Sequence, residues 1–103
     1  MKTRVITAIM VAVALLVSAT AANAAPVSWH QAIHLTKRAA SKRAARHGIT
    51  LPASWWTVAC DEGRVGHWRC DAGAMRGYCN ARVWISGTKR SPVVRRVVLA
   101  CFD

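Results

Sequence analysis

Acidic side chains are scarce: Asp61, Glu62, Asp71 and Asp103 are the whole supply in 103 residues, against fifteen lysines and arginines. Asp61 and Glu62 are adjacent and Asp103 is the last residue, so no pair of carboxylates is spaced to flank a scissile bond. The sequence also lacks G-x-S-x-G, a phosphate loop, a dinucleotide fingerprint and C-x-x-C. These absences argue against an enzyme, and no catalytic residue, cofactor or nucleic-acid motif is expected. Long apolar runs are missing as well, apart from Val5 to Val17 near the start.

That one run is short for a membrane span and follows Lys2 and Arg4, with SATAANAAP after it. A charged start, an apolar middle and a small-residue end make a secretory signal peptide. Ala22-Asn23-Ala24 places the cut after Ala24, and Ala19-Thr20-Ala21 offers an alternative. Residues 1–24 are therefore read as a leader and 25–103 as one small exported domain, secreted or periplasmic, with no membrane span after cleavage. Losing Lys2 and Arg4 leaves thirteen bases against four acids, a net charge of +9. Such a domain is drawn to anionic surfaces, either an anionic polymer or an acidic protein, and is expected to be a monomer.

A domain of this size has little core to spare, and four cysteines, Cys60, Cys70, Cys79 and Cys101, supply the expected staple. Ser28 to His47 lacks Gly and Pro and is rich in Ala, Lys and Arg, which predicts a helix. Ser28 with Gln31 forms a capping box and Gly48 stands at the left-handed cap position. On a helical wheel Trp29, Ala32, Ile33, Thr36, Ala40, Ala44 and His47 share one face, with Gln31, Arg38, Lys42 and Arg46 opposite. From Trp55 onward, β-branched and aromatic residues predict strands near 54–60, 66–72, 77–86 and 93–102. The turns between them are DEGRVG, AGAM and SGTKRSP. The expected fold is α+β, an N-terminal helix packed on a four-stranded antiparallel meander with two disulfides.

Hairpin geometry tests the cysteine pairing. Turns centred near 65, 74.5 and 90 place Cys60 opposite Cys70, Cys70 opposite Cys79, and Cys79 opposite Cys101, one row across the sheet. Strands lie about 4.8 Å apart, so cysteines on next-nearest strands are too distant to bridge. This excludes 60–79 with 70–101. Two connectivities remain: Cys60–Cys70 with Cys79–Cys101, which a plain meander satisfies and which is favoured, or 70–79 with 60–101.

The same register sorts the faces. Trp56, Val58, Trp68, Ala81, Val83, Ile85, Val97 and Leu99 fall with the cysteines and form the expected core layer. His67, Arg69, Tyr78, Asn80, Arg82, Trp84 and Arg96 fall on the other face. Arg95 breaks the alternation, which points to a bulge or a rim position. Cys60, Asp61, Glu62, His67 and Cys70 include ligand types, but their spacing matches no zinc pattern, and no metal is expected. His30 and His34 share a helix face without a third ligand and read as surface histidines.

The sharpest functional feature is the set Arg69, Arg82, Arg96, Trp84, Tyr78 and Asn80, since guanidiniums among aromatics bind carboxylate or phosphate and stack on flat groups. A second basic stripe, Lys37, Arg38, Lys42, Arg43 and Arg46, is expected on the far side of the domain. Of the five tryptophans, Trp29, Trp56 and Trp68 fit the core, while Trp55 and Trp84 do not and mark a candidate interface. The leading expectation is a cationic binding module for an anionic envelope component or an acidic protein. The alternative is a proteinaceous inhibitor of a secreted hydrolase of protease or lysozyme type, acting through the 61–66 or 86–92 loop. A membrane-active cationic protein ranks third, because the helix's alanine stripe offers little area to insert.

Overall fold

The computed structural model describes residues 24–74 and 79–102. The leader expected over 1–24 lies almost wholly outside the described residues, as do Tyr78 and the end of the AGAM turn. Within them, one helix packs on one four-stranded antiparallel sheet, as the sequence predicts.

Helix α1 runs from Trp29 to Arg46 and opens on the expected capping box, with the Gln31 amide donating to the Ser28 hydroxyl and the Ser28 amide to the Gln31 side chain. Gly48 follows the C-cap residue His47 with φ at 79°, the left-handed conformation that glycine adopts without strain. A single 3₁₀ turn over Ala53–Trp55 leads into the sheet. Strands β1 (Trp56–Glu62), β2 (Trp68–Ala74), β3 (Cys79–Gly87) and β4 (Pro92–Cys101) pair in the order β1-β2-β3-β4.

Cys60 faces Cys70 and Cys79 faces Cys101, and both pairs are disulfide-bonded with Cα atoms 4.0 Å apart. The favoured connectivity is the one formed. The four cysteines do not, however, share a row. Cys70 faces Val83, and Cys79 faces Ala74, four residues along β2. AGAM is accordingly not a turn at 72–75, because Ala72, Gly73 and Ala74 belong to β2. A shift of four residues preserves alternation, so the predicted faces survive although the β2–β3 register does not.

The offset divides the core in two. Val27, Ala32, Cys70, Val83 and Ile85 form one buried cluster; Ala40, Ala44, Leu51, Trp56, Ala72, Ala74, Cys79 and Ala81 form the other. Each holds one bridge. Small residues on both layers let the helix lie close, near enough for the Cys70 sulfur to stand 4.0 Å from the Ala32 carbonyl oxygen. Two indole N–H groups tie the layers together: Trp56 donates to the Ser41 hydroxyl at 2.9 Å and Trp68 to the Val27 carbonyl at 2.8 Å. Trp29, expected in the core, is 49% exposed, with its ring edge-on to His30 at a centroid distance of 5.0 Å. Helical periodicity gives a side chain's direction; at the first residue of the helix it does not ensure a neighbour to cover it.

Thr36 sits between Ala32 and Ala40 on the buried line, fully covered, with no hydrogen-bond partner for its hydroxyl. A buried hydroxyl without a partner costs about 1–3 kcal/mol, so Thr36→Val, which keeps the shape, is expected to stabilise by about 1 kcal/mol in urea denaturation. Each bridge closes a loop whose removal is expected to cost about 3 kcal/mol; the Cys79→Ala/Cys101→Ala variant should show it as a lower urea midpoint with the fold retained near neutral pH.

Candidate anion-binding surface

Register places the outward-facing residues in rows across the sheet. Asp61, Arg69, Trp84 and Arg96 stand side by side in one; Ala59, Asp71, Arg82 and Val98 in the next; Thr57, Gly73, Asn80 and Ala100 in the third. Arg69, Trp84 and Arg96 are thus neighbours, and the Arg96 guanidinium carbon lies 5.3 Å from the Trp84 ring centroid. This is a cation–π contact across the β3–β4 ladder. Arg82 is already engaged, since its Nε donates to the Asp71 carboxylate at 2.7 Å. Both partners are about half exposed, with side-chain exposures of 51% and 49%. Asn80 is exposed two rows from Trp84, and Trp55, 41% exposed, leads into β1 at the opposite edge from β4. Neither joins the Trp84 row.

The ladder is interrupted once. Trp84 faces Arg96 but Ile85 faces Val94, so Arg95 is the extra residue of a bulge. The bulge brings Arg95 to the buried Ser86, whose hydroxyl accepts from Arg95 Nε at 2.7 Å. Arg95 and Arg96, with His67, Trp84 and Ser86, border an open hollow of about 530 Å³.

The same two arginines also line a larger groove, about 770 Å³, whose other wall is α1. Arg38, Lys42, Arg43 and Arg46 stand on that wall, with Leu35, Ala39, Val94 and Val97 as apolar lining. The basic helix stripe stands on the layer opposite the Arg69–Trp84 row, as expected, and it also borders this groove with Arg95 and Arg96. The buried line Ala32, Thr36, Ala40, Ala44 advances four residues at a time and turns by about 40° per step on a 3.6-residue helix. Its start packs on Cys70, Val83 and Ile85, and its end on Trp56 and Ala74 toward β1. As contact turns toward β1, the cations of the second half of α1 are left over the β4 side.

Among the described residues no carboxylate lines the groove, and Arg82–Asp71 is the one ion pair. The acids of the described chain lie on β1 (Asp61, Glu62) and β2 (Asp71). The described carboxylates stand on β1 and β2, whereas α1 and β4 carry cations only. All four cysteines are bridged, so none is a free thiol. Comparison with protein families, curated proteins and solved structures finds no match.

Arg96 and Trp84 are expected to be coupled by about 0.5–1 kcal/mol, measured in a stability double-mutant cycle of Arg96→Ala and Trp84→Leu. Asp71→Asn should cost less than about 1 kcal/mol, because its ion pair with Arg82 is open to solvent.

Proposed function

We propose that this protein is a small exported binding module that holds an anionic partner, an envelope polyanion or an acidic protein, in the groove between α1 and β4. One observation carries the reading: six cations, Arg38, Lys42, Arg43, Arg46, Arg95 and Arg96, converge from two elements on one groove that has no carboxylate among the described residues lining it. Like charges gathered this way repel one another and gain from an anion that bridges them. Export is supported by the two disulfides, which persist in oxidising compartments. No described helix is long and apolar enough to cross a membrane, and the alanine stripe of α1 is already covered by the sheet. That leaves the membrane-active reading without an insertion surface on the helix.

A second reading, inhibition of a secreted hydrolase, draws on the β1–β2 turn. Val65 is 78% exposed at its tip. The turn is pinned by the His67 amide on the Arg64 carbonyl, the Gly63 amide on the His67 carbonyl and the Gly66 amide on the Glu62 carboxylate. A pre-organised apolar tip of this kind serves as a wedge. Salt-insensitive inhibition of a secreted protease or lysozyme, lost in Val65→Asp, would favour it over the groove.

Heparin binding at low salt tests the leading reading. Replacing Arg38, Lys42 and Arg95 together by alanine is expected to weaken it at least tenfold and to flatten its salt dependence, while Arg64→Ala/Arg69→Ala/Arg82→Ala, which removes the same charge, changes it less than threefold. Equal losses in the two variants would mean that net charge alone is responsible.

A further inference from the structure

We infer that the anionic partner is an extended acidic polypeptide segment that adds to the free edge of β4 as a fifth strand, its carboxylates lying along the groove cations. The inference rests on the groove reading and adds the backbone to it.

The free edge is readable from the bridge. Cys79 and Cys101 face each other with Cα atoms 4.0 Å apart, the close spacing of an antiparallel pair that exchanges no backbone hydrogen bonds. Pair type alternates along a ladder. Leu99 opposite Ala81 and Val97 opposite Val83 are therefore of the same kind as Cys101 opposite Cys79. The N–H and C=O groups of Val97, Leu99 and Cys101 point away from β3, and among the described residues no strand lies there. A polysaccharide or a phosphate polymer leaves such a ladder unmet. A peptide strand completes it.

Charge and spacing narrow the occupant further. Arg38, Lys42 and Arg46 recur every four residues on α1, a repeat of about 6 Å. Same-face side chains of a strand recur about every 6.7 Å, close enough for long side chains to absorb the difference over two repeats. The groove and the free ladder meet at Val97, so a carboxylate beside Val97 would lie next to Arg95, Arg96 and the α1 cations. A second copy of this chain is disfavoured, because its β4 carries Arg95 and Arg96 and no carboxylate to set against the groove cations. The other open edge, β1, carries Asp61 and Glu62 and repels an acidic strand. Bulge, arginines and Pro92 protect the edge from self-pairing, and the charge that does so selects the opposite sign.

The test uses the oxidised protein and a blocked heptapeptide of alternating Glu and Thr, followed by amide hydrogen exchange and titration, with heparin as a non-peptide anion. Binding of the peptide is expected to slow exchange at Val97 and Leu99 at least tenfold, while heparin leaves those amides unchanged. N-methylation of either the Glu amides or the Thr amides, whichever set faces β4, should weaken the peptide at least tenfold, with the other set tolerated. If heparin binds but the peptide does not, or both methylated peptides bind as well as the parent, strand addition is wrong and the groove reading stands. If neither heparin nor peptide binds at low salt, both fall.

Discussion

Strand register governs this molecule, and two cross-strand disulfides hold it. A slip of one residue in either outer hairpin would turn every core side chain of that strand to water. Cys60–Cys70 fixes β1 against β2 and Cys79–Cys101 fixes β3 against β4. The central β2–β3 ladder has no bridge, and packing holds it: Ala72 and Ala81 face each other beneath the helix, in the cluster that contains Ala40 and Ala44. Because the bridges lie four residues apart along β2, each secures one half of the core. The position of every arginine on the outer face follows from those registers.

Alternation made most of this legible in the sequence. The parity of the cysteines, Trp56, Val83 and Ile85 identified the buried face, and the odd position of Arg95 signalled the bulge that the Trp84–Ile85 irregularity contains. Parity states only odd or even. It cannot distinguish a β2–β3 register from one shifted by four, and the weak burial signal of Ala72, Gly73 and Ala74 made the end of a strand read as a turn. Ala72 and Ala74 are small where α1 lies over them, and Gly73 faces outward between Thr57 and Asn80. Of the candidate site, the Arg69–Trp84–Arg96 row was legible, since it needs only register. The groove was not, because the angle at which a helix crosses a sheet depends on the twist of the sheet and on where Trp56 and Leu51 offer cover. Residues 38, 42, 43 and 46 carry no local sign of it.

The fold separates charge as well as polarity. Three acids sit on β1 and β2, and one of them already meets Arg82, whereas the bases of α1 and β4 have no acidic neighbour among the described residues. From β1 to β4 is three strand spacings, about 14 Å. That exceeds the screening length of about 8 Å at physiological ionic strength. Asp61 and Glu62 therefore do little to neutralise the groove.

Gathering six cations opposes folding, and the magnitude shows how the domain tolerates it. Two unit charges about 6 Å apart in water repel by about 0.7 kcal/mol before screening, so several neighbouring pairs in an open groove cost on the order of 2 kcal/mol. A core built largely of alanine has a thin margin for such a term. Each disulfide contributes about 3 kcal/mol, enough to offset it. Cations placed outside the apolar stripe, on a scaffold whose stability comes from covalent staples, can thus remain unpaired. That arrangement ties the bridges to the groove physically: in the reduced chain the same repulsion would act on a fold without the terms that balance it.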